Sequence, residues 1–415
     1  MGDRWVGYQV GDPEYRRILV ALFMAGFATF AQLYSAQALM PLISTSLEIT
    51  ADTAGLSISM ATGGLGASVL IWASLADRYG RTAVMKSSAV LAAIIGLAIP
   101  FLPTWNAILT FRLFEGMALG ALPALAMAYL GEEIHPRYLA IVAGTYVSGN
   151  TIGGLSGRIL GGLVGDWVGW RAGLFVVSCA CALAAVAFLI VTPKPRGFVP
   201  TSRRTNPGPS VASRLAESLS IPKLWAVYGT GFLGMGAFVS MYSYLGYELN
   251  DEFGLPTAVT SLIFVVYLVG TVASRFAGKL AFLWGSRRVI SGGFALMCLG
   301  GSLTLVPLLP VVLIGLVVFT YGFFSVNPIA SALTARLTRH ARAQASAFYQ
   351  LCYYAGSALI GWLVGVLLVY SGWTTAVLGI LVSSFVGLVI AYVFLRNLPH
   401  SAATSQIPTI HPPIH

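Results

Sequence analysis

The sequence predicts an all-α membrane protein whose twelve transmembrane helices form two pseudo-symmetric bundles of six. Three observations favour this fold: an apolar composition, twelve long apolar runs and an internal repeat. The chain of 415 residues is 57% hydrophobic and only 9% charged, and its mean hydropathy is +0.81. Soluble domains carry about 25% charged residues, so a chain of this composition cannot keep a water-compatible surface along its length.

Each apolar run is long enough to cross a membrane, because about 20 helical residues cover the ~30 Å of a hydrocarbon layer. The predicted helices lie at residues 18–42, 54–75, 83–102, 105–130, 139–164, 170–192, 223–249, 257–282, 288–307, 310–335, 343–368 and 373–396. A stretch rich in Pro, Ser and Arg separates the sixth from the seventh, and its residues 213–219 could form a short surface helix. The predicted division is therefore an N-terminal bundle (1–192), a cytoplasmic linker (193–222), a C-terminal bundle (223–398) and a cytoplasmic tail (399–415).

An internal repeat relates the two halves. A shift of 203 residues aligns Tyr146, Gly153, Gly162, Gly169 and Trp170 with Tyr349, Gly356, Gly365, Gly372 and Trp373. A shift of 205 places Ala73, Leu75, Ala76 and Gly80 over Gly278, Leu280, Ala281 and Gly285, with Phe282 in place of Asp77. The two shifts agree within two residues, so chance similarity between glycine-rich runs is a poor explanation. Paired halves of this kind typically enclose a site near the middle of the bilayer.

The charge distribution predicts the orientation. Twenty of the 24 Lys and Arg residues fall at one set of loops and only Arg171 at the other; Arg112, Arg158 and Arg275 lie within apolar runs. This positive-inside pattern predicts that both termini are cytoplasmic, so the net charge of +10 requires no nucleic-acid partner. The first 17 residues lack a cleavable signal pattern, so the first helix is expected to remain as an anchor.

The sequence predicts neither a metal site nor a cofactor. All four cysteines lie within apolar runs, where core thiols are the simplest interpretation. No histidine falls within a predicted helix, which removes most metal chemistry and any histidine-based proton relay.

A short charged turn separates the second and third apolar runs, where residues 75–81 read L-A-D-R-Y-G-R. This turn resembles the signature G-x-L-A-D-R-x-G-R of the major facilitator superfamily, with Ala73 where that signature begins with Gly. The resemblance implies a transporter rather than an enzyme, with a gating element on the cytoplasmic side. The residues assigned to that element are Asp77, Arg78, Gly80, Arg81, Glu132 and Glu133.

In this family the acid of the turn meets the N-terminus of helix eleven when the protein is open outward, which here implies a contact between Asp77 and residues 342–346. The free N–H groups and dipole of a helix N-terminus favour an anion by about 0.3–2 kcal/mol. Arg81 could bridge to Glu132 or Glu133 at the end of helix four. The alternative is a solvated charge cluster that only sets orientation.

Helix four carries Arg112 and Glu115, three residues apart and able to share one face. Glu115 lies ten residues, or ~15 Å, from the predicted outer end, and it is the only acid at that depth. A charge at that depth costs about 3 kcal/mol or more, so Glu115 is expected to have a functional role or an oppositely charged partner. The stretch resembles the R-x-x-x-G element that the family associates with proton coupling, which implies that role for both residues. The alternative is a structural ion pair: burial favours the neutral acid, whereas Arg112 favours the carboxylate.

Helix five resembles the antiporter motif G-x-x-x-G-P-x-x-G-G through Gly153, Gly157, Gly161 and Gly162, with Arg158 in place of the proline. Small residues at a spacing of four also let helices pack closely, which is the general explanation for such a row. Arg158 adds a buried cation at about the depth of Glu115, so the two could pair if their helix faces meet. Residues 19–396 as a whole most resemble the YnfM-like branch of efflux permeases in this superfamily.

Polar and aromatic side chains in helices one, seven, ten and eleven are predicted to line a substrate cavity: Tyr34, Gln37, Tyr244, Asn327, Tyr349 and Tyr353. Tyrosines are also common in interfacial belts and in packing, so each tyrosine has a second interpretation. Gln37 and Asn327 are the stronger candidates, because a buried amide requires partners.

These observations together predict a monomeric transporter of a bacterial-type inner membrane that exports a small organic molecule or drug by proton-coupled alternating access. Its partners would be the lipid bilayer, the substrate and protons. One alternative is a sugar or metabolite exporter, or a uniporter in which Glu115 has no coupling role. A membrane enzyme and a non-transporting sensor are the more distant alternatives.

Overall fold

Twelve transmembrane helices make up most of the chain in the computed structural model, which describes residues 6–197, 211–338 and 341–396. The helices are α1 (Pro13–Leu47), α2 (Ala51–Tyr79), α3 (Arg81–Phe101), α4 (Trp105–Glu133), α5 (Leu139–Val168), α6 (Trp170–Val191), α7 (Pro222–Asp251), α8 (Thr257–Trp284), α9 (Ser286–Leu303), α10 (Leu309–Leu337), α11 (342–371) and α12 (373–394). The predicted tail 399–415 and residues 198–210 of the predicted linker lie outside the described residues.

The predicted number of helices is confirmed. Nine helical segments in the described ranges are long and apolar enough to cross a membrane. The last of them, Gln344–Phe394, is divided into α11 and α12 by Gly372, whose φ is 76°. Helices α5 and α9 complete the twelve. Most helices extend a few residues beyond the predicted apolar runs, because their polar terminal turns continue past the hydrocarbon layer.

The predicted surface helix is present and spans Val211–Leu219, immediately before α7. The indole Nε1 of Trp225 donates to the carbonyl oxygen of Leu219 at 2.9 Å, which ties the end of this helix to the first turn of α7. The end of the linker is thereby attached to the second bundle.

The two bundles repeat the same backbone contacts. Gly80 and Gly285 make the α2–α3 and α8–α9 turns with φ of 95° and 87°, a region that favours glycine. In the first bundle, Gly153 of α5 packs directly on the backbone of α1; in the second, Gly356 of α11 packs directly on the backbone of α7. A Cβ atom at either position would collide with that backbone. The internal repeat seen in the sequence is therefore a repeat of helix packing.

The bundles meet at one end of the molecule and separate at the other. We call the end that carries the α2–α3 and α8–α9 turns the basic face, and the other end the opposite face. Toward the opposite face, Gln37 Nε2 donates to Ser243 Oγ at 2.8 Å, and the hydroxyls of Ser44 and Tyr247 lie 2.6 Å apart. At the basic face, a cavity of about 460 Å³ separates α2 and α4 from α10 and α11. The molecule is thus open at the basic face and closed at the opposite face.

Candidate functional site

Helix α1 is interrupted in the middle of the bundle. Its first α-helical part ends at Leu33, a turn follows, and a second part resumes at Met40 after one turn of 3₁₀-helix over Gln37–Leu39. Pro41 has no N–H to donate to the preceding turn, which favours the break. An interruption leaves backbone carbonyl groups without helical partners, and in a membrane each of them must find another donor.

Arg112 of α4 supplies those donors. Its Nη2 donates to the carbonyl oxygen of Leu33 at 2.7 Å and its Nη1 to that of Gln32 at 3.1 Å. Its Nε donates to the carbonyl oxygen of Ser57 in α2 at 3.2 Å. The side chain is 1% exposed. Arg112 therefore holds the interruption of α1 against α2 and α4.

Glu115 lies at the centre of the same network and is 0% exposed. Its Oε2 lies 2.6 Å from Arg112 Nη1, so the two residues form the ion pair that their spacing allows. Its Oε1 accepts from Gln32 Nε2, also at 2.6 Å. Gly96 of α3 faces both Gln32 and Glu115, and a side chain there would displace one of them.

Gln32 is the member of this network that the sequence analysis missed. Its only signal in the sequence is an amide within an apolar run, five residues before Gln37. Its Nε2 also lies 3.1 Å from Ser178 Oγ, whereas its Oε1 is buried and has no hydrogen-bond partner among the described residues.

Arg158 and Glu115 do not pair, although their similar depth allowed it. Arg158 is 2% exposed and donates to Gln37 Oε1 and the Gly154 carbonyl oxygen, both at 2.6 Å, and to the Tyr267 hydroxyl at 3.3 Å. Its guanidinium carbon lies 4.4, 4.7 and 5.0 Å from the ring centres of Tyr34, Tyr267 and Phe264. Two of those residues belong to α8, so Arg158 is a contact between the bundles.

The glycines of the helix-five motif serve close packing. Gly153 and Gly157 pack against the backbone of α1, and Gly161 lies near the Ser35 carbonyl oxygen at the interruption of α1. Gly162 faces Ser261 of α8 in the other bundle. The row therefore fixes α5 to α1 on one side and lets α8 approach on the other.

The charged turn between α2 and α3 forms an ion-pair cluster. Arg81 pairs with Glu132 at the end of α4, and its Nη2 lies 3.6 Å from Asp77 Oδ1. Glu133, the other predicted partner of Arg81, has a different role, so that alternative is wrong. Its carboxylate accepts from the backbone N–H groups of Arg196 and Gly197 at 2.9–3.1 Å, because it points away from the turn toward the start of the linker.

The cavity at the basic face is bordered by this cluster on one side and by the first turns of α11 on the other. Its lining includes Asp77 and Arg81 from the first bundle, and Arg342, Gln344 and Ser346 from the second. The acid of the turn and the N-terminus of α11 thus face a common space, and the contact that the family resemblance implies for the outward-open form stays a prediction. Arg78 is exposed and lies over the ring of Tyr79 at 5.3 Å.

The six residues predicted to line a substrate cavity lie outside the lining of this one. Tyr34 and Gln37 contact Arg158, and the hydroxyl of Tyr349 donates to Asn327 Oδ1 at 3.0 Å. Tyr244 donates to the Gly361 carbonyl oxygen at 2.9 Å and packs on glycines of α2 and α11. Tyr353 packs edge to face on Tyr354 with ring centres 5.2 Å apart.

Twelve helices in two bundles around a cavity that opens at one membrane face define a membrane transporter rather than an enzyme. Residues 22–359 and 243–413 match the Major Facilitator Superfamily, and the chain belongs to that family. The fold resembles that of a bacterial homologue of the human lysosomal transporter Spinster in an inward-facing and occupied conformation. The TM-score is 0.72 at 15% identity, over 92% of this chain and 96% of that one.

Two relatives place the chain in the YnfM-like branch of the superfamily. The inner membrane transport protein YnfM of Escherichia coli (strain K12) is 35% identical over 365 residues, which cover 88% of this chain and 87% of YnfM. The uncharacterized MFS-type transporter YybF of Bacillus subtilis (strain 168) is also 35% identical, over 86% of this chain and 87% of YybF. The chain is therefore a multi-pass membrane transporter with inner-membrane relatives.

Proposed function

We propose that the protein exports a small organic molecule across the inner membrane in exchange for protons, by alternating access. In this proposal the basic face and both termini are cytoplasmic, as the distribution of Lys and Arg favours. A single chain is the transporting unit, because the cavity lies between its own two bundles. The resemblance of helix five to an antiporter motif supports export rather than uptake.

The observation that carries the proton-coupling role is the pairing of Glu115 with Gln32. As a carboxylate, Glu115 accepts from Gln32 Nε2. A protonated Glu115 needs an acceptor for its O–H, and rotation of the Gln32 amide would present the partnerless Oε1 to it. The same neighbour can thus satisfy both protonation states, so neither state leaves a buried polar group unpaired. Because Glu115 is fully buried, a proton can reach it only after the helices move.

Arg112 would transmit the change to the contact between the bundles. Protonation of Glu115 removes the counter-ion of Arg112, and an unpaired buried cation is costly. Arg112 holds the interruption of α1, and the turn that follows carries Gln37. Gln37 donates to Ser243 in the second bundle, so a shift of the interruption would loosen the closed face.

A specific observation also favours a second candidate, a uniporter or metabolite exporter in which the ion pair is structural. Every hydrogen bond of Arg112 and Glu115 stays within the first bundle, and three of those from Arg112 satisfy backbone carbonyl groups. A purely structural clamp would have the same contacts. The two candidates differ in whether the charge of Glu115 must change during transport.

The test is Glu115→Gln, which keeps the shape and removes the titration. A substrate is first found by growth inhibition with a panel of dyes, drugs, sugars and organic acids, in cells with and without the gene and after collapse of the pH gradient. In everted membrane vesicles, the variant should lose accumulation driven by a pH gradient yet retain downhill exchange. Glu48→Gln, an exposed carboxyl on the opposite face, is the matched control and should behave as the unmodified protein.

Two outcomes would count against the proposal. Gradient-driven accumulation that is unchanged in Glu115→Gln would favour the second candidate. Absence of flux for every compound in the panel would contradict the proposed transport of small organic molecules.

A further inference from the structure

We infer that the transported molecule is an organic anion with an apolar, aromatic-compatible body, and that its anionic group binds Arg158. This inference rests on the proposed transport function and names its substrate class. The argument uses the charge of the bundle interior, the rings around Arg158 and a phenol hydroxyl beside it.

Among the described residues, Arg158 is the buried cation that has no acidic partner. Arg112 and Glu115 neutralise each other. Arg158 is equally buried, but its hydrogen-bond partners are an amide oxygen, a backbone carbonyl oxygen and a phenol, all neutral. No carboxylate of the described residues lies within 4.0 Å of its guanidinium. A buried cation without a counter-ion is costly, and an anionic ligand would supply that counter-ion.

The aromatic surface at this position cannot serve a cationic substrate. Ring faces of Tyr34, Tyr267 and Phe264 are the kind of surface that attracts a lipophilic cation, but all three are already occupied by the guanidinium of Arg158. A cationic drug would be repelled by the positive charge of Arg158 and would find no free ring face at this position. An anion with an apolar body would gain both the charge and the rings.

Tyr34 offers a second donor for the anion. Its hydroxyl is buried and has no hydrogen-bond partner among the described residues, and its ring lies 4.4 Å from the guanidinium carbon of Arg158. A carboxylate accepts from a guanidinium and from a phenol O–H together, and such charge-assisted bonds are about twice as strong as neutral ones. A phenol O–H without a described partner, on a ring packed against a guanidinium without a counter-ion, thus fits a carboxylate.

The position of Arg158 relates this site to alternating access. Arg158 and Tyr34 belong to the first bundle, whereas Tyr267 and Phe264 belong to the second. Separation of the bundles at the opposite face would remove Tyr267 from Nη2 and free that nitrogen for an anion.

The test compares three probes of one shape and different charge: 3-phenylpropanoate, 3-phenylpropan-1-ol and 3-phenylpropylammonium. Binding to the purified full-length chain in detergent is measured by equilibrium dialysis, together with the shift in apparent unfolding temperature. We expect the carboxylate to bind at least about tenfold more tightly than the other two, since a charge-assisted pair replaces an unpaired charge. Arg158→Gln should abolish this preference and Arg158→Lys should retain part of it. The control Arg275→Gln, at an exposed arginine of α8, should leave it unchanged.

Tyr34→Phe keeps the ring and the charge of Arg158, so it tests the site even if Arg158→Gln fails to fold. It should weaken binding of the carboxylate severalfold and leave the alcohol unaffected, because only the phenol O–H is removed. Equal or tighter binding of the ammonium or the alcohol, binding of the carboxylate that persists in Arg158→Gln, or no binding of any probe would each overturn the inference. Binding in detergent requires neither flux nor a proton gradient, so these outcomes are independent of the Glu115→Gln test.

Discussion

The two bundles share their packing and differ in their chemistry. Helix α5 lies on α1 through Gly153 as α11 lies on α7 through Gly356, so the backbone contact is the same in both halves. The ion pair and the buried Arg158 belong to the first bundle only. The repeat therefore preserves the packing of the helices, whereas the buried charged side chains of the described residues lie in the first bundle.

The corresponding helices α4 and α10 make this difference concrete. Both contain 29 residues, and their first residues, 105 and 309, and their last, 133 and 337, differ by 204. At the same offset Leu316 stands for Arg112 and Phe319 for Glu115, and both are fully buried. Phe319 lies nearly parallel to the ring of Phe238 with centres 6.3 Å apart. The second bundle thus has buried apolar side chains at the positions where the first bundle has its ion pair.

Among the substitutions that test this difference between the bundles, Arg112→Gln is expected to have the largest effect on stability. The substitution leaves Glu115 without its counter-ion and the Leu33 carbonyl oxygen without its donor, which should cost about 3–5 kcal/mol. The apparent unfolding temperature in detergent should fall steeply. The double variant Arg112→Gln with Glu115→Gln should recover more than half of the loss, because no charge is then left unpaired. If the double variant is no more stable than the single one, the ion pair is not the source of the effect.

A smaller and symmetrical effect is expected at the two repeated helix contacts. Gly153→Ala and Gly356→Ala each place a methyl group against the backbone of the neighbouring helix, an overpacking that typically costs about 1–3 kcal/mol. The two apparent unfolding temperatures should drop by similar amounts. Gly144→Ala, where an added Cβ atom meets nothing within 4 Å, is the control and should be neutral or stabilising. A loss confined to one of the two contacts would break the structural equivalence of the bundles.

The smallest effect is expected from Phe319→Leu, at the position in the second bundle that matches Glu115. The change replaces a ring by a smaller apolar side chain in a packed core and leaves a small cavity, which should cost about 1 kcal/mol. Substrate transport should remain, and its dependence on pH should be that of the unmodified protein. A shift of the pH profile in this variant would show that coupling is not confined to the first bundle.

The fold followed from the sequence because hydrophobic length and glycine position act locally. Twelve apolar runs and the turn glycines Gly80 and Gly285 are visible without any tertiary information, and so is the three-residue spacing of Arg112 and Glu115. The contacts across helices were not predictable in the same way. Depth along a helix placed Arg158 level with Glu115, but which face each residue presents depends on how the helices rotate against each other.

The interruption of α1 explains why Gln32 was missed. A regular helix places Gln32 as one amide among apolar neighbours, and only the break exposes the carbonyl groups that bring Arg112, and with it Glu115, to that point. The contact of Glu133 with the start of the linker was not predictable for a related reason. Adjacent glutamates at a helix end point in different directions, and the sequence did not show that the linker returns beneath one of them.

The segments before and after the first bundle are both hydrogen-bonded to the end of α4. Tyr8 exchanges backbone hydrogen bonds with Glu133 and His135 at 2.8 and 3.1 Å, so the segment before α1 is bound where the Glu133 carboxylate receives Arg196 and Gly197. The chain thus enters and leaves this bundle at one place, closing it into a loop. A movement of the first bundle would therefore carry the point where the chain enters it and the point where the chain leaves it together.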